Sequence, residues 1–362
     1  MRESSIVVRP QPMDSATYTA SSRLQASGLD SGIRLFEQAA RTVTLPEPPQ
    51  PIAIADYGAA TGYNSLLPVG AAVLALRART RPDHAILVAH TDLPGNDFSA
   101  LFSTLAEDPD SYLKKDSATF ASAVGRSFYR QILPSQSIAL GWSSWATHWL
   151  SRVPAPIGDH IHIAHSADET ARRAYTRQGA LDWHDFVAFR GRELAPGGKL
   201  VVLTLGLDDA GLPGFAGVMQ AILAALHSLV DDGTLHPDEL DRMAIPTVGR
   251  TEKEFRAPFA PSGRFEGLSV EHLELFNAED RFWARYRADG NAVALGAAWA
   301  GFARAAIFPT LTTALEGGPD GPRTGVFVDA LESAVAAYLS GAPQQMTIPL
   351  ATVVLVKRSG AA

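Results

Sequence analysis

The sequence predicts an α/β fold built on a parallel sheet, on three observations. Short, nearly continuous apolar segments alternate with amphipathic ones between residues 51 and 206, the pattern of strands buried on both faces and joined by crossover helices. The first apolar segment runs into IADYGAATGYN at 54–64, where an acid and two glycines follow the strand. In a doubly wound sheet, ligands sit outside such carboxyl ends. A late apolar segment, IPLATVVLVKR at 348–358, has strand character and closes the sheet.

In chain order, residues 1–13 are polar and contain proline, and 14–42 space Tyr18, Leu24, Leu29, Leu35 and Phe36 as two short helices with a break around Gly28. PEPPQP at 46–51 stops any helix. Strands are predicted over 51–58, 84–92, 137–144 and 199–206, with helices over 65–80, 96–108 and 169–194. After Gly206 two helical segments, 215–233 and 236–244, precede any further strand, which is more than one crossover needs. They are expected to join residues 14–41 and 292–318 in a cap over the sheet, so that 207–250 is cap. Strands over 264–276 and 348–358 follow. The organisation expected is one elaborated domain over 1–362, its core sheet drawn from about 48–206, 264–277 and 345–358.

Composition narrows the functional classes. The 362 residues are 46% hydrophobic and 19% charged, an ordinary globular mix, with a net charge of -7 that gives no electrostatic reason to bind nucleic acid. Cysteine is absent, so thiolate nucleophiles and thiolate metal ligands are excluded. The N-terminus has no apolar core of signal-peptide length, and the apolar stretch 295–308 is too short to span a bilayer and carries Arg304. A soluble, cytoplasmic protein is expected. The abundance of Ala, Arg and Gly gives only a faint hint about the source organism, for which a bacterium is expected.

The motif after the first strand, from Asp56 through Gly58 to Gly62, is D-x-G-x-x-x-G rather than the G-x-G-x-x-G of dinucleotide enzymes. Glycines allow close approach of a ligand to the backbone, and an acid there suits a cationic or hydroxyl-rich ligand better than a pyrophosphate. The second strand ends in His90-Thr91-Asp92-Leu93, where a carboxylate can accept from both ribose hydroxyls. A nucleoside with a cationic sulfonium and no phosphate, S-adenosyl-L-methionine (SAM), meets both conditions. A tight turn with no ligand is the alternative.

Six further segments occur in order: YTASSRLQ (18–25), IADYGAATGYNSL (54–66), TDLPGNDFSALF (91–102), GRSFYRQILPSQS (125–137), GWSSWATHWLSRVP (141–154) and LAPGGKLVVLTLG (194–206). This series resembles the SABATH family of SAM-dependent methyltransferases, known from salicylate, benzoate and jasmonate carboxyl methyltransferases. The resemblance runs from about residue 14 to the end. It implies a class I methyltransferase fold, a Rossmann-like mixed sheet of seven strands with helices on both faces and a helical cap over the active site. It also implies SAM as cofactor, S-adenosyl-L-homocysteine (SAH) as product, and a homodimer. By its motifs, Tyr18, Gly58, Ala59 and Asn64 would line the methionine side of the cofactor, Asp92 and Leu93 the ribose, and Ser127 and Phe128 the adenine, with Asp56 and Ser143 as further cofactor-binding residues. Gln25 and Trp149 would hold an acceptor carboxylate by neutral N–H groups, which orient an anion without quenching it as an arginine would. Trp145, His148, Met219 and Thr247 would complete the acceptor pocket.

A carboxylic acid is ionised at neutral pH and needs no general base, whereas a sugar or aliphatic hydroxyl needs a base or a metal. His148 is the candidate base, with packing as its alternative role. The run GDHIHIAHSADE at 158–169 offers His160, His162 and His165, a spacing that is undemanding as a metal signature. Some family members hold magnesium through an asparagine and a D-x-F-N segment. Here His165 and Asp241-Arg242-Met243-Ala244 stand in those places, which leaves the site altered, since magnesium favours oxygen ligands. Met219 and Thr247 stand where relatives carry larger aromatic residues, which opens the pocket to less planar acceptors. The expected activity is O-methylation of the carboxylate of a small organic acid. Two alternatives remain open: hydroxyl O-methylation of a sugar or natural-product alcohol with histidine or metal assistance, and a noncatalytic SAM-binding protein.

Overall fold

The computed structural model describes residues 15–359, with side chains from residue 29 onward. Seven strands form one sheet: β1 (Ile52–Tyr57), β2 (Ile86–Asp92), β3 (Thr119–Gly125), β4 (Ile138–Ser144), β5 (Leu194–Leu205), β6 (Leu268–Asn277) and β7 (Pro349–Lys357). Their order is β3-β2-β1-β4-β5-β7-β6. The first five run parallel, while β7 is antiparallel to both β5 and β6. The strand order reverses beside β1, whose neighbours are β2 and β4, and the crevice this opens at the carboxyl ends is where a doubly wound sheet binds ligands. The inner strands are apolar because both faces are covered, β4 being buried at six of its seven positions and β7 at seven of nine, whereas the edge strands β3 and β6 are mostly not buried.

Two predicted details change. Residues 15–42 form one continuous helix rather than two with a break around Gly28. An interior glycine costs only about 1 kcal/mol against alanine, and the second half of the helix is anchored by Leu29, Phe36, Ala39 and Ala40 in the core. Gly32 lets it lie close, since a Cβ there would stand 3.0 Å from the Trp142 ring. The strand β3 and the helices Arg281–Asp289 and Thr324–Gly341 were not foreseen individually.

The helices Ala216–Asp231, Ala292–Ala306 and Thr324–Gly341 pack on one another, and Ala292–Ala306 also meets the helix Ser15–Thr42. Trp299 is fully buried between Phe215, Phe282 and Phe302 at this junction. No single helix among the described residues is long and apolar enough to cross a membrane; one bent pair, Ala292–Ala306 with Phe308–Ala314, passes by length and composition.

Candidate active site

The turn after β1 takes left-handed backbone at Gly58 (φ 86°), Ala60 (φ 47°) and Gly62 (φ 78°). Glycine is required at 58 twice over, because a Cβ there would also come within 2.4 Å of the Ala146 Cβ. The turn is tied to the end of β2: Gly58 N and Ala59 N donate to Thr91 O at 2.9 and 3.0 Å, and Asn96 Nδ2 donates to Ala60 O at 2.8 Å. Ala60 N donates to Asp92 Oδ2 at 2.8 Å and Leu93 N to Asp92 Oδ1 at 2.7 Å. Each carboxylate oxygen thus keeps acceptor capacity toward the open side. Burial raises the Asp92 carboxyl to about 6, against the lowering effect of these two amides.

A cavity of about 690 Å³ opens at this edge of the sheet. Of the residues singled out by sequence, Gly58, Asp92, Leu93, Ser127, Phe128, Trp145 and Trp149 line it. Phe128 meets Tyr129 and Phe186 edge-on, at 4.7 and 5.6 Å between ring centres. Arg190 Nη1 donates to its carbonyl at 2.9 Å. Across the cavity, Trp145 adopts φ 54°, a left-handed conformation unusual for a bulky residue, and its indole N–H is buried without a partner. Strain of this kind persists only where the surroundings enforce it. The Trp149 ring packs 5.5 Å from that of His148.

Other predicted residues lie elsewhere. The Asp56 carboxylate is buried: its Oδ2 accepts from Ser65 Oγ at 2.6 Å and from His90 Nδ1 at 2.8 Å, and His90 Nε2 in turn accepts from Tyr112 Oη at 2.7 Å. This chain braces the turn from beneath, and Asp56 lines neither described cavity. Ser143 Oγ donates to Tyr57 O at 2.8 Å and stitches β4 to β1. Ala59 and Met219 sit in the main core, and Asn64 is the second residue of the helix Tyr63–Arg77. Tyr18 and Gln25 belong to the helix Ser15–Thr42, but their side chains lie outside the described residues.

His148 is buried, with Nδ1 unpartnered, and desolvation together with the nearby Arg250 and His162 drives it down to about 3. An imidazole so weakly basic stays neutral and makes a poor proton acceptor at physiological pH. Thr247 faces a second cavity of about 370 Å³, where its Oγ1 accepts from His162 Nε2 at 2.9 Å. Its backbone pairs with that of Trp149. His165 closes a short turn, Ile163–His165, beside His160 and His162, whereas Asp241 is exposed at the end of the helix Pro237–Leu240. Among the described residues no group of three or more His, Asp or Glu is placed to hold a metal ion.

The cavity also has a wall that the motifs did not indicate: Gln178, Leu181, Asp182, Asp185 and Phe189, all on one face of the helix Glu169–Glu193, with Tyr129 opposite. Their spacing of three and four residues along one face of a largely polar helix was the available signal.

Comparison with known proteins agrees with this geometry. A family model described as SAM dependent carboxyl methyltransferase matches residues 10–329. The chain is 28% identical over 252 residues to salicylate carboxymethyltransferase of Clarkia breweri, an alignment spanning 66% of this chain and 67% of that one. It is 26% identical over 290 residues to jasmonate O-methyltransferase of Arabidopsis thaliana, spanning 72% and 74% respectively. It is 29% identical over 240 residues to a benzoic acid/salicylic acid carboxyl methyltransferase of Petunia hybrida, spanning 62% of this chain and 66% of the relative. The chain thus aligns with about two thirds of the length of these relatives. A solved loganic acid methyltransferase with SAH superposes with a TM-score of 0.75 at 21% identity, covering 97% of this chain and 98% of that one, which establishes the class I methyltransferase fold. With its strand order, its cradle at the β1–β2 edge and a family match over most of its length, the chain belongs to the SABATH family of SAM-dependent carboxyl methyltransferases.

Proposed function

We propose that the protein transfers the methyl group of SAM to the carboxylate oxygen of a small organic acid. One observation carries this reading: a single cavity joins a nucleoside-sized cradle, formed by Gly58, Asp92 and Phe128, to an indole wall formed by Trp145 and Trp149. The donor set suits the cofactor. Asp92 retains acceptor capacity for two ribose hydroxyls, Phe128 offers a flat face for adenine, and Gly58 leaves the turn open to close approach.

When bound, SAM supplies an electrophilic methyl on a cationic sulfur. The residues of this chain align and dehydrate the acceptor. A carboxylate loses charge as it attacks a cation, so withdrawing it from water favours the transition state, and alignment contributes much of the rate. The Trp149 indole N–H, with the Gln25 amide, orients the acid without neutralising it. A neutral His148 near 3 supports an acceptor that needs no base and weakens the hydroxyl alternative. The same likeness to the family supports a cytoplasmic homodimer of one-domain subunits, with the helices 216–231 and 292–306 as part of a cap. The net charge of -7 supports a small-molecule partner over nucleic acid.

Incubation with methyl-labelled SAM and a panel of acids and alcohols tests the reading. Labelled ester released as methanol by mild base is the expected product. A base-stable ether, or SAH binding with no transfer to any acid, would overturn it.

A further inference from the structure

The segment 145–152 follows β4 and carries both indoles of the cavity wall, yet it is irregular and largely buried. Buried backbone outside regular structure must find partners. Groups on five successive residues do so, on three other parts of the chain. Thr147 O accepts from Arg250 Nη1 at 2.8 Å, His148 O from Val248 N at 2.9 Å, and Trp149 O from the Tyr129 hydroxyl. Leu150 N donates to Pro246 O at 2.8 Å, and Ser151 N to Asp182 Oδ2 at 2.8 Å.

Three of these partners are side chains: Arg250 and Asp182 tie the segment to the helix Glu169–Glu193, and Tyr129 ties it to the backbone bearing Phe128. Arg250 Nη2 also donates to Gly179 O at 3.1 Å, so one guanidinium bridges the indole segment and the helix Glu169–Glu193. Asp182 accepts in addition from Ser151 Oγ at 2.7 Å and Gln178 Nε2 at 2.8 Å, and Gln178 Oε1 accepts from Arg152 Nε at 2.8 Å. Tyr129 follows Phe128 and packs edge-on against it, so its hydroxyl ties the backbone bearing Phe128 to the backbone bearing Trp149. The distance between adenine face and acceptor indole is thereby fixed by one short covalent path and one hydrogen bond. Methyl transfer is sensitive to such distances, since a misplacement of about 1 Å can cost on the order of a hundredfold in rate.

We propose that Tyr129, Arg250 and Asp182 are positioning residues for methyl transfer: they clamp the backbone of 147–151 and thereby hold the Trp149 indole in register with the cofactor cradle. The inference deepens, and rests on, the carboxyl methyltransferase reading. The test is Tyr129→Phe in the full-length protein, which removes one hydroxyl and keeps the ring packing. Expected are a roughly tenfold fall in kcat, about the worth of one lost hydrogen bond, with SAH affinity and the KM for SAM within about twofold. Hydrogen–deuterium exchange at Leu150 and Ser151 should become faster. Arg250→Lys keeps the charge but cannot span both carbonyls, and should act in the same direction. The double variant should lose less than the product of the single losses, since both act on one segment.

Faster exchange with unchanged kcat would reduce the clamp to structural support and overturn the proposal. Unchanged exchange would overturn it as well, and a fall in SAH affinity parallel to kcat would place the action of Tyr129 on the cofactor instead. If the unaltered protein methylates no acid, the functional reading fails, while the exchange measurement still decides whether the clamp exists.

Discussion

In the proposed function, Asp92 is the residue on which cofactor recognition turns. Its carboxyl lies at about 6 because burial outweighs two amide donors. Protonation below that pH removes acceptor capacity, so SAH affinity should weaken as pH falls through about 6. Calorimetry at pH 5 and 7.5 checks this, and Asp92→Ala should bind SAH about tenfold or more weakly at pH 7.5 and lose most of the pH dependence. Trp149→Ala should do the reverse, raising the acid KM or lowering kcat by roughly 10- to 100-fold, the worth of a hydrogen bond to a charged group, with SAH affinity nearly unchanged. His148→Gln should leave acid turnover mildly altered and the shape of its pH profile intact. Asp92, Phe128 and Trp149, which line the cavity, were legible as candidates in the sequence because each sits inside a local run of characteristic residues. Tyr129, Asp182 and Arg250 were not, since their partners are 20, 31 and 103 residues away and only folding brings them together.

Among the elements, the end of the helix Glu169–Glu193 holds the backbone of Phe128 in place. Glu193 is fully buried. Its Oε1 accepts from Ile132 N, Leu133 N and Arg190 Nη2 at 2.7, 3.0 and 2.9 Å, and its Oε2 accepts from Tyr57 Oη at 2.8 Å. Arg190, also fully buried, donates in turn to the carbonyls of Phe128 and Arg130. Breaking such a pair leaves an uncompensated buried charge, so Glu193→Ala should cost about 3–5 kcal/mol, measured by urea denaturation. Element prediction failed where the residue pattern was weak. In β3, TFASAVG is an edge strand whose small, mixed residues give little alternation, and only its first residue is buried. The helix Thr324–Gly341 was detectable, for Phe327, Leu331, Val335 and Leu339 recur every fourth residue and are its buried face. The central strands were plain because burial on both faces demands continuous apolar runs.

At the scale of the whole molecule, buried histidines set the response to acid. His148 and His162 are driven down to about 3 by burial, and His160 and His165 are lowered in the same direction. The unfolded chain therefore takes up protons that the folded chain refuses, and stability is lost as pH falls below about 6.5. Asp92 acts oppositely: raised to about 6 from 3.8, it adds stability as pH falls through that interval. Asp280 is raised by burial in the same direction; several histidines oppose these two carboxylates, so Tm should drop between pH 7.5 and 5, and His162→Gln should lessen the drop. Strand order, cavity and positioning segment meet in one claim, that a sulfur nucleoside lies between Asp92 and Phe128 with its methyl group directed at an acid held by Trp149. A crystal structure with SAH and an acceptor acid tests this most directly. The account predicts ribose hydroxyls on the Asp92 carboxylate, adenine against Phe128 and the acid carboxylate on the Trp149 indole; SAH found instead in the cavity beside Tyr175 and Arg250, or adenine away from Phe128, would contradict it.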